Sequence, residues 1–538
     1  MKRELVMLLA ALTGIGCVVS GCSNSSNQGG KTEVSASAGG SSATSPSATS
    51  GEIKKSDKPI KILAPLLGDT SPSENGEIEQ QLEELTGYKV EVTWVPDTSY
   101  TDKVSVILAS GELPDIIVAK GKDSNIISAI DDDTFWQLDD YIPKFENLSQ
   151  MNPDIQLNAS FNGKTYGIYR KRDTMRAGVI IRRDWLEKLG LQTPTTVDEF
   201  TDMLRAFKTQ DPDGNGKDDT YGIAIPKWDG KNNFGPFDQI ATWFGAPNAY
   251  TIDDGGNIIP DFLTDEYNEY LDYARSLYAE GLINQDFAVL STDNWNDEFV
   301  NDKAGVIIDM QSRGMDLSKL MAKKNGVEGT DGSPWVTMIA NVKTDNGDFV
   351  VPTSGYSGML LIPKSSVDTE DRLMEVLDFI DKSNAEEGQM LLNKGIEGLN
   401  YEFDASGNYI QLTIEDEALK AQNKADLASF AQIGTNVLDM TLPAQLTGTQ
   451  IETERIAIRD GEDVKAKAVF NPIESLISDV QTLKGATLNT IISDARTMYI
   501  AGQIDKTGYD AEIERWKKSG GDEMLEDLNK LYTENMEK

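Results

Sequence analysis

Residues 88–118, YKVEVTWVPDTSYTDKVSVILASGELPDIIV, contain two strand patterns with a helical pattern between them. Residues 88–94 alternate between polar and apolar side chains, which is typical of a half-buried strand. Residues 100–110 predict a helix that ends at Gly111, and residues 115–118 predict a short buried strand. A chain that alternates strand and helix in this way builds α/β layers, and we expect a largely parallel sheet.

The same alternation continues on both sides of this segment. Upstream, residues 59–63 predict a strand and residues 78–86 an amphipathic helix. Downstream, we predict a strand at 177–181, a helix at 183–189, a helix opened by a capping box at Thr196 and Glu199, a strand at 221–225 and a helix at 265–280. From about residue 415 onward, the chain is expected to be mainly helical.

The first residues match a secretory signal peptide that ends at a lipid-modified cysteine. Two basic residues precede the apolar run 5–19, which is shorter than the ~20 residues that a membrane-spanning helix needs. Val19-Ser20-Gly21-Cys22 then matches a lipobox, in which the cysteine sulfur receives a diacylglycerol. We predict a signal peptide over 1–21, a lipid anchor on Cys22 and a flexible linker over 22–57, which would place the protein on the extracellular face of the membrane. An ordinary signal peptide with a chance cysteine is the alternative.

Composition excludes several classes of protein. The chain has no histidine, and its two cysteines are Cys17 and Cys22, so the folded part has no Ser-His-Asp triad, no thiolate nucleophile and no histidine-ligated zinc. Its net charge of −38 opposes binding to nucleic acid or to anionic lipid headgroups. Catalysis by carboxylates, Lys or Tyr remains open at this stage.

Residues 211–219, DPDGNGKDD, resemble a calcium-binding loop. Gly216 stands where an EF-hand loop turns sharply, whereas Gly222 replaces the glutamate that closes such a loop. The predicted ligands of a structural Ca²⁺ are Asp211, Asp213, Asn215, the Lys217 carbonyl and Asp219. The alternative is a solvated Asp/Gly turn that binds no ion.

Several short motifs, in this order, resemble one known family. They are LASGELPDI at 108–116, NGKTYGI at 162–168, RDWLEKLGL at 183–191, PTT at 194–196, AEGLI at 279–283 and GIEGLNY at 395–401. Together they are similar to the family 1 extracellular solute-binding proteins of ABC transporters, of the maltose-binding type, and within it to LipO-like lipoproteins of Gram-positive bacteria. The calcium-like loop is also similar to that of alginate oligosaccharide-binding proteins, in which such a loop holds calcium; Thr220 here replaces their next acidic ligand.

The resemblance implies a fold of two α/β lobes, the type II periplasmic-binding-protein fold, with the ligand held in the cleft between them. Crossovers between the lobes would lie near residues 170–174, Trp335 and Lys382. One lobe would then hold residues 58–175 and 336–383. The other, with a helical C-terminal region, would hold residues 176–335 and 384–538.

Sugars present apolar C–H faces that stack on aromatic rings, and hydroxyl groups that bond to polar side chains. We therefore select aromatic and basic residues in segments that are too polar or irregular for a core. The predicted ligand-binding residues are Trp228, Tyr356, Arg313, Trp335, Phe237, Trp243 and Lys120. Trp228 is the main stacking candidate, because it lies in the polar segment PKWDGKNN at 226–233. For each aromatic residue, a place in the core is the alternative.

These features predict a monomeric binding protein, not an enzyme, that captures an oligosaccharide and delivers it to the permease of an ABC importer by closing its lobes. Two alternatives stay open. The ligand could instead be a peptide or another small solute, or the protein could be a glycoside hydrolase that uses paired carboxylates. Neither the identity nor the charge of the sugar follows from the sequence.

Overall fold

The computed structural model describes residues 53–227, 234–438 and 448–536 of the chain. Within these ranges the strands form two mixed sheets and two small hairpins, and helices cover both sheets. The predicted signal peptide, Cys22 and Trp228 lie outside the described residues. No helix in these ranges is both long and apolar enough to cross a membrane.

The first sheet has the strand order β2-β1-β3-β11-β4, and the second has the order β10-β5-β9-β6. In chain order the strands are β1 (Ile60–Leu66), β2 (Val90–Pro96), β3 (Ile116–Ala119), β4 (Gly167–Lys171), β5 (Ala177–Arg182), β6 (Tyr221–Ala224), β7 (Tyr250–Ile252), β8 (Ile258–Pro260), β9 (Ala304–Met310), β10 (Val336–Ile339), β11 (Tyr356–Leu361), β12 (Tyr401–Phe403) and β13 (Tyr409–Gln411). β7 pairs with β8 and β12 with β13.

The helices are α1 (Glu77–Thr86), α2 (Asp97–Ser110), α3 (Ser124–Asp131), α4 (Pro153–Ala159), α5 (Arg183–Leu189), α6 (Val197–Thr209), α7 (Pro236–Trp243), α8 (Asp265–Ala279), α9 (Trp295–Val300), α10 (Gln311–Lys324), α11 (Glu370–Ser383), α12 (Glu386–Lys394), α13 (Glu417–Phe430), α14 (Gln450–Asp460), α15 (Glu462–Lys465), α16 (Asp479–Ile500), α17 (Lys506–Trp516) and α18 (Asp522–Met536). The predicted helices and strands are confirmed in type and position, and the region after residue 415 is helical as expected.

Local sequence signals explain where these elements end. Gly111 and Gly190 adopt left-handed backbone conformations directly after α2 and α5, which a residue without a Cβ adopts at least cost. The Thr196 side chain accepts a hydrogen bond from the Glu199 N–H, and the Glu199 carboxylate accepts one from the Thr196 N–H. The predicted capping box is therefore confirmed.

The expectation of a largely parallel sheet was wrong for both sheets. β1 pairs in parallel with β2 and β3, but β11 is antiparallel to β3 and β4. In the second sheet β6 and β9 are parallel, whereas β5 is antiparallel to β9 and β10. The reason is the path of the chain. β4 leaves the first sheet for the second, and β11 returns, so the two strands run in opposite directions side by side.

Each sheet is the centre of its own hydrophobic core, and this gives the molecule its two lobes. The first core contains β1–β4, β11 and the helices α1, α11 and α12, with Leu82, Ile117 and Leu377 fully buried. The second sheet has a core on each face, one with α6, α7 and α8 and one with α9, α10 and α14. The C-terminal helices α16–α18 and the β7–β8 hairpin pack together around Trp516.

The lobe boundaries differ from those predicted. Val336 to Ile339 pair with β5 in the second sheet, so the return crossover comes after β10, not at Trp335. Residues 384–437 pack on the first core, where Leu391, Phe430 and Val437 are buried, instead of joining the second lobe. The chain is therefore still on the first lobe at Val437, well after Lys382, and α14 packs on the second lobe. Apolar faces on α12 and α13 hold residues 384–437 on the first lobe.

Candidate binding groove between the lobes

Two crossovers, 172–176 and 340–355, connect the sheets and run side by side. The Arg172 N–H donates to the Gly355 carbonyl at 2.8 Å, and the Thr353 N–H donates to the Thr174 carbonyl at 2.9 Å. The Thr353 hydroxyl donates to the Asp173 carbonyl at 2.8 Å. Backbone hydrogen bonds thus tie the crossovers into one narrow connection, on which a hinge between two compact lobes would bend.

The first lobe places polar side chains where its parallel strands end, the edge at which α/β proteins usually bind ligands. Lys120 follows β3, is exposed, and forms an ion pair with Asp97, which directly follows β2 as the first residue of α2, with 2.7 Å between Nζ and Oδ1. Gly358 permits the close approach of β11 to the end of β3, because a Cβ there would lie 2.3 Å from the Ala119 carbonyl oxygen. The predicted ligand residue Lys120 is therefore at the strand ends, but its ammonium group is already paired.

Tyr356, another predicted ligand residue, is half-buried at the start of β11, where the second crossover enters the first lobe. The Lys122 ammonium lies 6.0 Å from the centre of its ring and 5.5 Å from that of Phe161. Burial lowers the pKa of Lys122 to about 8. Lys122 donates hydrogen bonds to the carbonyl oxygens of Asn158, at 2.8 Å, and Glu474, at 2.7 Å.

Sequence reasoning missed Lys122. The signal was present, because Lys122 stands two residues after Lys120 and directly after Gly121, in the loop that follows a buried strand. Its partner Glu474 comes from a distant part of the chain and could not have been found from spacing. Burial raises the pKa of the Glu474 carboxyl group. The pair joins the first lobe to the segment before α16.

Arg313 lies at the end of the second sheet and is engaged within its own lobe. Its guanidinium group pairs with Asp309, donates to the Asn296 side-chain oxygen at 2.6 Å, and lies 4.4 Å from the centre of the Trp295 ring. Trp295 is itself fully buried and donates to the Ala224 carbonyl at 2.9 Å. A ligand would have to compete with these partners for Arg313.

The remaining aromatic candidates lie on apolar faces. Phe237 and Trp243 are 5% and 2% exposed, on the inner face of α7, and pack edge-to-face on Phe287 and Phe200. The prediction that they contact ligand was wrong, because the amphipathic α7 turns both rings into the core. Trp335 is half-buried against the same lobe and its carbonyl accepts the Arg183 N–H.

The cavities in the described part of the chain include one in each lobe. One, of about 190 Å³, is inside the second lobe; its lining includes the Arg496–Asp238 ion pair, Asp261, Tyr250 and Tyr267. The other, of about 590 Å³, is bounded by the edge strand β2, residues 71–75 and Phe430. Trp94 in this second cavity packs edge-to-face on Phe430 with ring centres 5.6 Å apart. Neither cavity was predicted, because each is formed by segments distant in sequence.

The loop 211–219 connects α6 to β6 on the surface of the second lobe. The Asn215 amide nitrogen lies 2.5 Å from Asp213 Oδ2 and 3.1 Å from Asp219 Oδ1, while the Asp211 carboxylate accepts the N–H groups of Gly214 and Gly216. Burial and the neighbouring carboxylates of Asp211 and Asp219 raise the pKa of Asp213. Among the described residues, no three acidic side chains meet in a ready-made metal site.

Comparison with known proteins identifies the family. Residues 66–390 match the family model described as bacterial extracellular solute-binding protein. The chain belongs to this family. It is 44% identical to Lipoprotein LipO of Bacillus subtilis (strain 168), over 99% of this chain and 98% of the relative. It is also 31% identical to the polygalacturonan/rhamnogalacturonan-binding protein YtcQ of the same organism, over 84% of this chain and 87% of the relative.

Solved structures show the same fold at lower identity. An HMO binding, ABC-transporter associated solute-binding protein from Bifidobacterium longum infantis has a TM-score of 0.71 at 20% identity, over 88% of this chain and 98% of that one. FusA of Streptococcus pneumoniae in complex with kestose has a TM-score of 0.62 at 21% identity, over 89% of this chain and 99% of that one. A FusA EF-hand mutant, in complex with fructo-nystose, has a TM-score of 0.62 at 20% identity, over the same shares. The predicted two-lobed fold is thereby confirmed.

Family membership also settles the class of activity. The chain is a solute-binding protein, and the hydrolase alternative is set aside because the family and the relatives bind solutes without catalysis. What the individual side chains of the groove bind stays a prediction.

Proposed function

We propose that this protein captures an oligosaccharide in the groove between its lobes and, by closing the lobes, presents it to the permease of an ABC importer. The observation that carries the proposal is the pair of hydrogen-bonded crossovers between two independently packed sheets, with Tyr356 where they enter the first lobe. Such a connection lets a ligand that touches both lobes favour the closed form.

The relatives' names support a carbohydrate as the ligand. YtcQ is described as binding polygalacturonan and rhamnogalacturonan, and FusA was crystallised with kestose. Trp228, Tyr356 and Trp335 remain the proposed stacking residues, because an aromatic ring can cover the apolar face of a sugar. A peptide or another small solute is the alternative ligand class.

A thermal-shift panel tests this function. The purified protein is heated with oligosaccharides, peptides and amino acids, each far above the expected Kd. An oligosaccharide should raise the Tm, since a ligand at 100 times its Kd stabilises the folded state by about 2.7 kcal/mol. A shift with a peptide and none with any oligosaccharide would assign the protein to the alternative class.

We propose in addition that Cys22 carries a lipid that anchors the protein outside the cell. The relative with 44% identity is named a lipoprotein and aligns with 99% of this chain, which includes the segment around Cys22. The thiol is required because the lipid is joined through a thioether. Changing Cys22→Ser should move the protein from the membrane fraction to the culture medium, whereas retention on the membrane would refute the anchor.

We also propose that loop 211–219 binds a structural calcium ion. Its donors are hard oxygens of the kind calcium prefers, and the Asn215 amide nitrogen lies between two carboxylates, where a positive partner is favoured. Rotation of the Asn215 side-chain amide would turn its oxygen, in place of its nitrogen, toward an ion bound there. A bound ion would brace the connection from α6 to β6. It would have no part in holding the sugar.

A further inference from the structure

A tight turn of the first lobe contacts the segment that leads into the C-terminal helices. Phe161 and Lys164 exchange backbone hydrogen bonds at 2.9 and 3.1 Å, and the two residues between them form the turn. Asn162 and Gly163 have φ values of 50° and 77°, which asparagine and glycine adopt more readily than other residues. The family motif at 162–168 therefore begins with the two residues that suit this turn.

Asn162, in this turn, makes three hydrogen bonds to that segment. Its N–H donates to the Ser475 carbonyl at 2.9 Å, and its side-chain oxygen accepts the Ile477 N–H at 2.8 Å. Its side-chain nitrogen donates to the Ile477 carbonyl at 3.4 Å. Lys122, from the loop after β3, adds a fourth bond, to the Glu474 carbonyl at 2.7 Å. The first lobe thus holds the backbone of one short segment at four points.

The same segment, residues 473–477, is fixed on its other side to the second lobe, and we call it the clasp segment. Its Ile473 and Leu476 side chains are 4% and 7% exposed and pack among the helices α16–α18. α16 starts two residues after the clasp segment and is tied to the second lobe by the buried ion pair of Arg496 with Asp238, at 2.7 Å. The clasp segment therefore joins the two lobes in addition to the crossovers.

The bonds to the clasp segment are of a kind that water can replace. Among the described residues, no carboxylate forms an ion pair with Lys122, whose ammonium group donates to the carbonyl oxygens of Asn158 and Glu474. Ile477 is only partly buried where it packs against the first core. Separation would expose this side chain further but would return the Lys122 ammonium group to water, which offsets part of the cost. Polar contacts of this kind between domains favour relative motion.

We propose that the clasp segment is a latch between the lobes: Asn162 and Lys122 hold the lobes in the arrangement that the structure shows, and their bonds to the segment break when the lobes turn about the crossovers. This inference rests on the proposed function, which needs lobes that move, but it concerns the protein without ligand. A hydrogen bond shifts such an equilibrium by roughly fivefold, so loss of three bonds should raise the released fraction tenfold or more.

The double variant K122M/N162G tests the latch. It removes the three side-chain bonds to the clasp segment, while glycine tolerates the positive φ at 162 and methionine keeps the apolar stem of the lysine. Spin labels on V106C in the first lobe and V289C in the second report the distance between the lobes by pulsed electron spin resonance. These two valines are 62% and 74% exposed.

Labelling is specific once Cys17 and Cys22 are replaced by serine, because the chain has no other cysteine. Without ligand, the protein with Lys122 and Asn162 intact should give one distance population. K122M/N162G should add a second population, occupied at least tenfold more than before. If the double variant does not fold, N162G alone, which removes two of the bonds, is measured in the same way.

The control N152A also removes an asparagine side chain that accepts two backbone hydrogen bonds, but both lie within the first lobe, at the start of α4. It should leave the distances unchanged. Identical distances in K122M/N162G would show that the clasp segment does not restrain the lobes and would overturn the latch. A second population in N152A as well would mean general loosening of the first lobe, which also overturns it. Both results leave the proposed function standing, since its failure would appear separately in the thermal-shift panel.

Discussion

Asp261 lies at the wall of the cavity in the second lobe, and among the described residues its carboxylate accepts one hydrogen bond, from the Phe262 N–H at 2.7 Å. Burial and, secondarily, the charge of Asp238 raise the pKa of Asp261 to about 7. No Lys or Arg of the described chain forms an ion pair with it, because Arg496 is used by Asp238. The fold therefore holds a proton on Asp261 that the unfolded chain would lose at about pH 4.

The sign of the pH dependence follows from this difference. Since the folded protein binds the proton more tightly, the contribution of Asp261 to stability is present at acidic pH and is lost as pH rises from about 4 to about 7. Asp261→Asn should be more stable than wild type at pH 8 by about 1–2 kcal/mol, or ~2–6 °C in Tm, and the difference should shrink steadily as the pH is lowered toward about 4. Asp254→Asn, in the exposed turn of the same hairpin, is the control. A wild-type advantage at pH 8 would contradict the assignment.

At the scale of the element, helix α6 begins at a capping box and carries Phe200, Leu204 and Phe207 into the second core. Thr196→Ala removes the side-chain acceptor for the Glu199 N–H and should lower the free energy of unfolding by about 1 kcal/mol. Chemical denaturation gives the value. Thr209→Ala, at the exposed end of the same helix, should change it by less than about 0.5 kcal/mol. Equal effects of the two changes would show that the cap contributes nothing.

The irregular start of β11 depends on Gly358. Its φ is 111°, and an added Cβ would lie 2.3 Å from the Ala119 carbonyl oxygen, beside the point where the pairing of β11 with β4 shifts register. Gly358→Ala should cost about 2–4 kcal/mol of stability, because strain and steric overlap add. Gly121→Ala, on the neighbouring loop with no atom within 4 Å of the new Cβ, should be tolerated. A stable Gly358→Ala protein would mean that β11 can shift without cost.

Loop 211–219 gives a further prediction at this scale. Added calcium should raise the Tm, and a chelator should reverse the rise, because an ion that binds only the folded state stabilises it. The double change Asp213→Asn and Asp219→Asn should abolish the response. Asp218→Asn, in the same loop but outside the proposed ligand set, should retain it. An identical Tm with calcium and with chelator in the wild-type protein would show that the loop is a solvated turn.

At the scale of the whole molecule, the sequence predicted the helices and strands more accurately than the contacts between distant segments. Helix ends at Gly111 and Gly190 and the capping box follow from local chemistry, and all three were predicted correctly. Strand direction and lobe membership depend on pairings between distant segments, so the position of β10 and of residues 384–437 was missed. Phe237 and Trp243 show the same limit, because an aromatic residue near a cleft and one in a core look alike in sequence.

Which residues bind the ligand stays a prediction. Lys120 follows β3, where the parallel strands of the first lobe end, and Tyr356 begins β11, where the second crossover enters that lobe. Lys122 was missed, since its environment arises only when residues from distant parts of the chain meet. Contacts between distant segments leave no pattern in a linear sequence.

The central claim is that two lobes bind an oligosaccharide without altering it. The most direct measurement is a calorimetric titration of the purified protein with trigalacturonate and, separately, with kestose, followed by mass spectrometry of the recovered sugars. We expect one sugar bound per protein molecule for at least one of the two, with a negative heat-capacity change and an unchanged sugar mass. Absence of binding heat for both sugars, or recovery of shorter products, would contradict the account.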